Sequence, residues 1–568
     1  MKALYYIIIL LFLLVSCTDE ILDKKPLDRY SETDVWSDPK LAELFVNEVY
    51  NGIETYVTGG LCPSSMVDDA YSNFNWCNER SIITHGLLTP DNSVKTTIYS
   101  SSTNGRWLFY YKNIRSINIF FSKAKDLHGN DDLVNRMKGE MYFLRAYCYS
   151  ELVNFYGGVP LVKKAFDLDS DFKVAKSTYD EGIGFIAEQC DSAVMFLPYN
   201  QSSDNTGRAT KGAALALKAQ ELLYAASPLY NGGSYNATKL QKAKAATEAV
   251  INLSNGSQKM YSLYSPNDYR KIFLDFNNSE VIFAQYESSA NFKDRQNTMN
   301  RDLAMNSIHG YGAYNPLQQL VDAFEVTNGS QTVIPATYDK NSGRMVTTSS
   351  LYDDQNPYKN RDPRFYANLL YDGAIYGGNN TVETFVGGKD SPQSEMEGWN
   401  ASQSGYLVRK FTSEKQAAFV FPEVENMMWI VYRLSEFYLN EAEILFELGT
   451  TDSQGHDALW YVNQIRQRGC VNMPAYTSVD REKIRHERRV ELCFEGNRYY
   501  DVRRWQIYDQ VLGLPAYGIR IEKQADGSKK YSVKTVDNLV KFDPRIYYIP
   551  IPTSEINKDP NLGQSPGW

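Results

Sequence analysis

Apolar residues recur at helical spacing along most of the chain, with polar residues between them. Positions three and four apart share one face of a helix, so this pattern predicts amphipathic helices. Glycine and proline mark their ends, as at Gly157, Gly158 and Pro160 after one long helix. The predicted helices lie near 39–57, 106–127, 131–156, 178–196, 208–226, 237–253, 431–448 and 458–468.

The pattern changes in the region from about 255 to 429. Short apolar runs such as Val281–Ala284 stand there between clusters of Asn, Ser and Gly, which is typical of short strands and loops. We therefore expect one domain, 34–568, built from a helical scaffold, a loop-rich insertion and a C-terminal segment. Their approximate ranges are 34–254 with 430–510 for the scaffold, 255–429 for the insertion and 511–568 for the C-terminal segment.

The scaffold helices carry small residues where neighbouring helices would meet. Gly139, Ala146 and Ser150 lie on the faces of one helix, and Lys211–Tyr230 alternates alanine with leucine as a tetratricopeptide helix does. Helix hairpins of roughly 34 residues are typical of such repeats. The predicted fold class is mostly α, a tetratricopeptide-like helical repeat array with an inserted loop-rich region containing short strands.

A strongly charged helix is predicted from Ile484 to Trp505, where Gly496 would permit close backbone approach. Steps of three and four residues place four charged residues on one seam: Arg488, Glu491, Glu495 and Arg498. Neighbours three apart can pair, Arg488 with Glu491 and Glu495 with Arg498. Grouped carboxylates can carry acid–base catalysis, but arginines match them in number here. We interpret the seam as a structural ion network and assign no catalytic residue.

Composition narrows the classes of function. With 59 basic and 68 acidic residues among 568, the net charge is −9. This charge argues against nucleic acid as a partner, because proteins that bind it need a basic surface. The chain also has 42 tyrosines. Tyrosine offers flat amphipathic contacts to ligands, although it also packs between helices.

The N-terminus has the form of a lipoprotein signal. Lys2 precedes an apolar run, Ala3–Val15, that is too short to span a bilayer but fits a signal-peptide core. The run ends in Leu-Val-Ser-Cys at Cys17, which resembles a bacterial lipobox. We expect removal of 1–16, a lipid on Cys17 as the membrane anchor, and a polar tether over 17–33. An ordinary secretory signal that contains a cysteine is the alternative.

Metal and cofactor chemistry find little support in the sequence. The HExxH-like string at His486 has Val490 where the second histidine would stand. GxSxG, P-loop and GxGxxG motifs are absent from the sequence. We predict no metal and no cofactor, while a calcium site made from loop acids stays open. Cys62 and Cys77 flank a loop and could form a disulfide, which their spacing alone does not decide.

Aromatic and polar residues are concentrated in the loop 68–80. A sugar has apolar ring faces edged by hydroxyls, so its site needs flat aromatic rings beside amide, carboxylate or guanidinium groups. Here Trp76 could stack on a sugar ring. The polar candidates for its hydroxyls are Asp69, Asn73 and Asn75. The alternative is that Trp76 fills the core and the polar residues cap turns.

Two further segments show the same combination of residues. Tyr311 and Tyr314 stand among glycines in 308–315, where we expect exposed rings and a mobile backbone. Trp399 lies in the Gly- and Ser-rich stretch 387–405, away from any periodic helix. It is either an exposed binding platform or a buried plug, and we favour the platform.

Motifs spread along the chain resemble those of one family. They are ERRxELxFEGxRxxDxRRW from Glu487 to Trp505, RDPRF at Arg361–Phe365, the helix MKGEMYFLRAYCYSELVNFYGGVPL, and the closing segments Tyr547–Pro552 and NLGQSPGW. In their order and positions they are similar to the SusD/RagB family of outer-membrane nutrient-binding lipoproteins.

This resemblance implies a non-catalytic, surface-exposed lipoprotein that captures oligosaccharides and delivers them to a SusC-like TonB-dependent barrel. It also implies ligand-facing loops near 68–80 and 308–315. Capture of peptides is an alternative, because the family includes peptide importers. A surface glycoside hydrolase would need two acids roughly 5–10 Å apart, and the sequence marks out no such pair. A purely structural repeat scaffold would bind no small molecule.

Overall fold

The computed structural model describes residues 32–53, 60–73, 79–93, 105–167, 169–276, 278–287, 299–395, 398–414 and 426–568. The predicted signal peptide, Cys17 and most of the predicted tether lie outside these residues. Asn75, Trp76 and Cys77 lie outside them as well, so the predictions made for these three residues stay predictions. Cys62 itself is buried.

Helices form most of the regular structure. In chain order they are α1 Glu32–Ser37, α2 Pro39–Tyr50, α3 Cys62–Ser65, α4 Glu79–Thr84, α5 Gly105–Lys123, α6 Asp131–Tyr156, α7 Tyr179–Phe196, α8 Lys211–Ala226, α9 Ala237–Ile251, α10 Lys271–Leu274, α11 Met299–Leu303, α12 Gln318–Val321, α13 Pro363–Asn368, α14 Leu434–Leu448, α15 Ala458–Gln467, α16 Arg481–Glu491, α17 Asn497–Arg504, α18 Tyr508–Val511 and α19 Thr553–Lys558. Short 3₁₀ turns lie at Ala124–Asp126, Ser203–Asn205, Pro228–Tyr230, Asn306–Ile308, Gly398–Asn400, Pro544–Tyr547 and Pro560–Leu562.

The long helices begin and end where capping chemistry predicts. The Asn130 side chain accepts a hydrogen bond from the backbone at the start of α6, and Gly157 ends that helix in the left-handed region with φ 83°. A capping box formed by Thr178 and Glu181 starts α7. Local sequence therefore sets the bounds of these helices.

The long helices pack in a continuous series. Helices α5 to α9 each contact the next, α9 then contacts α14, and α14 contacts α15. Small residues allow the close approach: a Cβ at Gly139 would lie 3.0 Å from Leu197. This arrangement confirms the predicted mostly α, tetratricopeptide-like array. In the ranges that the structure describes, no helix combines the length and apolarity needed to cross a membrane.

Short strands pair in twos, and most of them lie in the insertion. The strands are β1 Ala70–Ser72, β2 Ser254–Asn255, β3 Gln258–Lys259, β4 Val281–Glu287, β5 Tyr314–Pro316, β6 Val326–Thr327, β7 Thr332–Val333, β8 Ala336–Asp339, β9 Gly343–Val346, β10 Leu369–Leu370, β11 Ile375–Tyr376, β12 Asn380–Thr381, β13 Leu407–Val408, β14 Met427–Arg433, β15 Ala516–Lys523 and β16 Lys529–Asp537. The antiparallel pairs are β1–β5, β2–β3, β4–β14, β6–β7, β8–β9, β10–β13, β11–β12 and β15–β16.

The pair β4–β14 joins an early part of the insertion to the strand that ends it. Because β14 extends to Arg433, the helix predicted from 431 begins only at Leu434, whose backbone N–H donates to the Glu280 carbonyl at 2.9 Å. After the insertion, α14 packs against α9 and continues the series of helices.

The helix predicted from Ile484 to Trp505 is two helices, α16 and α17. Phe494 and Gly496 between them have φ values of 65° and 89°, in the left-handed region that ends helices. Gly496 therefore serves the turn, and no helix runs through it. The turn interrupts the helical register, so the spacing of three and four residues does not carry across it.

The charged seam forms ion pairs with partners that differ from the predicted ones. Glu491 contacts Arg364 at 3.0 Å, Arg433 at 2.6 Å and also Arg468. These arginines come from α13, β14 and the segment after α15. The predicted pair Arg488–Glu491 is wrong, because each residue faces other elements.

The other three seam residues are also paired elsewhere. Arg488 donates to Asp501 at 2.7 Å, and Glu495 accepts from Arg433 at 2.6 Å. Arg498 contacts Asp68 at 3.1 Å, so the predicted pair Glu495–Arg498 is wrong as well. Glu491 and Glu495 join the insertion to the scaffold, through Arg364 at 3.0 Å and Lys410 at 2.7 Å. The pairs of Arg488 and Arg498 lie within the scaffold.

Candidate functional site

Strands β1 and β5 bring two of the predicted ligand-facing segments side by side. Ala70 pairs with Pro316 and Ser72 with Tyr314 in antiparallel register. The pairing continues for one residue, since the Asn73 N–H donates to the Ala313 carbonyl at 2.7 Å. Asn73 therefore lies beside the 308–315 segment.

The third predicted segment joins them through Asn73. Its side-chain amide donates to the carbonyls of Trp399 at 2.9 Å and Ala401 at 3.2 Å. From the opposite side, Gln403 N–H donates to the buried Asn315 side chain at 2.7 Å. Three segments that lie far apart in the sequence thus meet at one place. Through its backbone and side chain, Asn73 links the 308–315 segment to the 387–405 segment by hydrogen bonds.

An exposed aromatic surface lies at this meeting point. Trp399 is 60% exposed, and its ring centroid lies 6.2 Å from that of Tyr311, with the planes inclined at 36°. The Arg301 guanidinium carbon lies 4.7 Å from the Tyr311 centroid, within cation–π range. We call Asn73, Arg301, Tyr311 and Trp399 the Trp399 surface. It combines apolar ring faces with guanidinium and amide groups.

Two glycines allow these loops to approach so closely. A Cβ at Gly310 would lie 2.3 Å from the Ala304 carbonyl, and one at Gly312 would lie 2.4 Å from the Asn400 carbonyl oxygen. Gly312 also has φ 48°. Close packing of backbone thus explains the glycines, where the sequence pattern favoured a mobile backbone.

Tyr314 does not belong to the exposed surface. It is 1% exposed and part of the main hydrophobic core, because all three residues of β5 are covered by neighbouring segments. The structure thus gives Tyr314 a place in the core, which does not fit the predicted contact with ligand.

Asp69 is likewise buried, and its carboxylate contacts Arg489 at 2.9 Å. Burial raises the pKa of the Asp69 carboxyl, while the neighbouring arginine opposes that shift. Burial acts the same way on Asp68, but Arg489 and Arg498 outweigh it and lower the pKa of Asp68. Both carboxylates are engaged by arginine, so the hydroxyl-binding role predicted for Asp69 does not fit its position.

Arg301 was missed by the sequence analysis. It lies in the short helix α11, which shows no periodicity and matches no motif, so no sequence signal marks it. Its backbone carbonyl accepts from the Tyr311 N–H at 2.7 Å, which fixes the aromatic ring beside the guanidinium group. Within the described ranges, no group of three His, Cys, Asp or Glu side chains is arranged to hold a metal ion.

Comparisons with known proteins place the chain among similar sequences. Residues 279–568 match the model of the SusD family, and residues 20–223 match a model described as starch-binding associating with outer membrane. A SusD-like protein P2 from Formosa agariphila is 24% identical over 81% of this chain and 80% of its own length.

Solved structures show the same fold. A SusD-like protein from Bacteroides fragilis is 28% identical, with a TM-score of 0.77 over 96% of this chain and 100% of its own. A laminarin-binding SusD-like protein is 21% identical, with a TM-score of 0.64 over 94% of this chain and 100% of its own.

Proposed function

Since this chain belongs to the SusD family, we propose that it captures oligosaccharides at the Trp399 surface and delivers them to a SusC-like TonB-dependent barrel, without acting as an enzyme. The match to the model described as associating with outer membrane indicates an outer-membrane-associated protein. The proposed position is the cell surface, with a lipid on Cys17 as the anchor.

The exposed ring of Trp399 carries this proposal. The exposed flat face of this ring suits the apolar face of a sugar ring, and it lies beside a second aromatic ring, that of Tyr311. Tyr311 extends the aromatic surface, Arg301 places a guanidinium group beside it, and Asn73 holds the 398–401 segment in position. A structural neighbour that binds laminarin supports carbohydrate as the class of ligand.

Removal of the ring tests the site. Trp399→Ala should weaken binding of laminarin- or starch-derived oligosaccharides by about 1–3 kcal/mol, on the scale of aromatic stacking measured for nucleic-acid bases. Tyr311→Ala should have a smaller effect in the same direction. Isothermal titration calorimetry of the purified protein measures both.

Phe172→Ala is the matched control, because Phe172 is a 58% exposed aromatic outside the Trp399 surface. Its substitution should leave the affinity unchanged. Unchanged binding by a folded Trp399→Ala variant would remove the Trp399 surface from the proposal.

Tight binding of peptides with no binding of glycans would favour the peptide alternative, and release of sugar at enzymatic rates would contradict a binding-only role. Trp76 remains a predicted contributor and is tested by Trp76→Ala in the same assay.

The anchor is tested separately from the ligand. Cys17→Ser should release the protein from the outer membrane, because the thiol that carries the lipid is lost. Fractionation of membranes, with surface protease treatment of intact cells, measures this. Retention of the variant in the membrane with full surface exposure would contradict a lipid anchor on Cys17. Co-purification with a barrel from solubilised outer membranes tests the proposed transport partner.

A further inference from the structure

A cleft of about 280 Å³ opens beside α16, next to the residues that precede β1. It shares no residue with the Trp399 surface, which lies past the other end of β1. Cationic side chains form part of its lining, and apolar side chains form the wall. The lining includes Arg485, Arg489 and Arg498 on the cationic side, the imidazole of His486, and Ile334 and Val511 on the apolar side.

Two of the arginines in the cleft are neutralised. Arg489 contacts Asp68 at 3.0 Å and Asp69 at 2.9 Å. Arg498 contacts Asp68 at 3.1 Å. Asp322, on the cleft wall, accepts hydrogen bonds from a tyrosine and an arginine of the β8–β9 hairpin at 2.5 and 2.8 Å. These groups have little capacity left for a ligand charge.

Arg485 is the exception. Its side chain is 11% exposed, and its Nε is buried without a hydrogen-bond partner among the described residues. The carboxylate that contacts it, Glu482, is 3.4 Å from Nη1 and 81% exposed, so this contact is weak. The guanidinium carbon stacks 4.6 Å from the Trp505 ring centroid, which holds the group in position. Nε itself has no accessible surface, so the two Nη groups are the donors that a ligand in the cleft can reach.

We propose that this cleft binds the carboxylate of an acidic sugar residue, with Arg485 as the charged anchor. A guanidinium group offers parallel donors that match the two oxygens of a carboxylate. The apolar wall at Ile334 and Val511 suits a ring face. The volume lies at the small end of ligand sites, which fits a single sugar residue. The inference rests on the proposed glycan-binding function and adds the chemical class of a glycan residue: a hexuronate.

The test compares acidic oligosaccharides with the same oligosaccharides after reduction of their carboxyl groups. Calorimetry on the mature full-length protein should show higher affinity for the acidic form. Arg485→Gln should reduce that affinity by about tenfold or more and leave the affinity for the reduced form unchanged. Arg485→Lys keeps the charge but loses the planar donors. Its affinity for the acidic form should lie between those of the wild-type protein and Arg485→Gln.

Thermal unfolding checks that each variant is folded. His486→Gln is a control in the same cleft: burial lowers the pKa of His486, so its ring adds no positive charge, and the substitution should leave the preference for the acidic form unchanged. Equal affinity of the wild-type protein for both forms, or no effect of Arg485→Gln, would overturn the cleft proposal. If the cleft proposal fails in this way, the proposed function is still supported when Trp399→Ala loses its binding of the reduced oligosaccharide. Absence of binding to either form would count against both. Tighter, Arg485-dependent binding of an acidic peptide would overturn the assignment to sugar.

Discussion

Trp399 and Tyr314 are similar side chains in similar glycine-rich segments, yet one is 60% exposed and the other 1%. Neither segment has the periodicity that reveals burial in a helix. The difference arises because β1 and its neighbours cover β5, whereas no described segment covers the Trp399 ring to that extent. Such cover depends on contacts between residues far apart in sequence, which composition does not encode.

Two carboxylates on one helix show the same dependence on surroundings. Glu441 and Glu443, both on α14, are buried. Burial raises the pKa of Glu441 to about 8, with further repulsion from Glu248. Burial opposes ionisation of Glu443 as well, but its pairing with Arg504 prevails and lowers the pKa to about 2.

The two residues should therefore affect stability in opposite pH ranges. Glu441 is protonated in the folded protein below about pH 8, and its contribution is lost as the pH rises from about 4.5 to about 8, on the order of 5 kcal/mol. Glu441→Gln should remove that loss and flatten the decline of the melting temperature between pH 5 and pH 8.5. Denaturation of the wild-type protein and the variant over this range measures the effect.

Glu443→Gln is the matched comparison. Its stabilising charge is present above about pH 4.5 and is lost as the pH falls towards 2. This variant should be destabilised at pH 7 by about 3–5 kcal/mol, because Arg504 loses its buried partner. Equal effects of the two substitutions at pH 7 would contradict these assignments.

Elements with a local signal could be predicted, and those that depend on pairing could not. The capping residues Asn130 and Thr178 set helix starts that the sequence analysis placed within a few residues. The split between α16 and α17 was missed, since a single glycine, Gly496, is also tolerated inside helices. At the site, Trp399 and Tyr311 could be found from their types, whereas Arg301 depends on the position of α11.

The packing of loops at the Trp399 surface leads to a prediction for Gly312. A side chain at this position would be strained at φ 48° and would meet the Asn400 carbonyl oxygen at 2.4 Å. Gly312→Ala should therefore displace the 398–400 turn that carries Trp399 and reduce glycan affinity several-fold. Calorimetry with the oligosaccharides used for Trp399→Ala measures the change.

Gly378→Ala is the control for backbone strain. Gly378 has φ 82°, but a Cβ there would meet no atom within 4 Å. Both variants should lose stability, by roughly 1 kcal/mol from the left-handed backbone alone. A fall in glycan affinity of the same size in Gly378→Ala would show that strain, and not the position of Trp399, is responsible.

At the scale of the whole molecule, Glu491 joins parts of the chain that are distant in sequence. Its three arginine partners come from the insertion, from the strand that closes it and from the segment after α15. Burial raises the pKa of Glu491, but these arginines outweigh that effect and hold it well below the usual value. The carboxylate is thus a fixed negative charge at the junction of insertion and scaffold.

Glu491→Gln should destabilise the protein by about 3–5 kcal/mol, because three buried guanidinium groups lose their shared counter-charge. Chemical denaturation at pH 7 measures the loss. Glu522→Gln is the control: Glu522 forms an exposed pair with Arg520 at 2.9 Å, and its loss should cost at most about 1 kcal/mol. A similar small loss for Glu491→Gln would show that the network contributes little to stability.

The contact between α9 and α14 has a consequence for how the protein is made. Leu240 and Ala243 of α9 pack with Ile444 of α14 in one apolar cluster, yet the whole insertion separates the two helices in the chain. While the polypeptide is being synthesised, this flank of α9 stays exposed until α14 has emerged. A nascent chain that stops before Leu434 would present it to water, so we expect premature termination to yield fragments that aggregate or are degraded by cellular proteases.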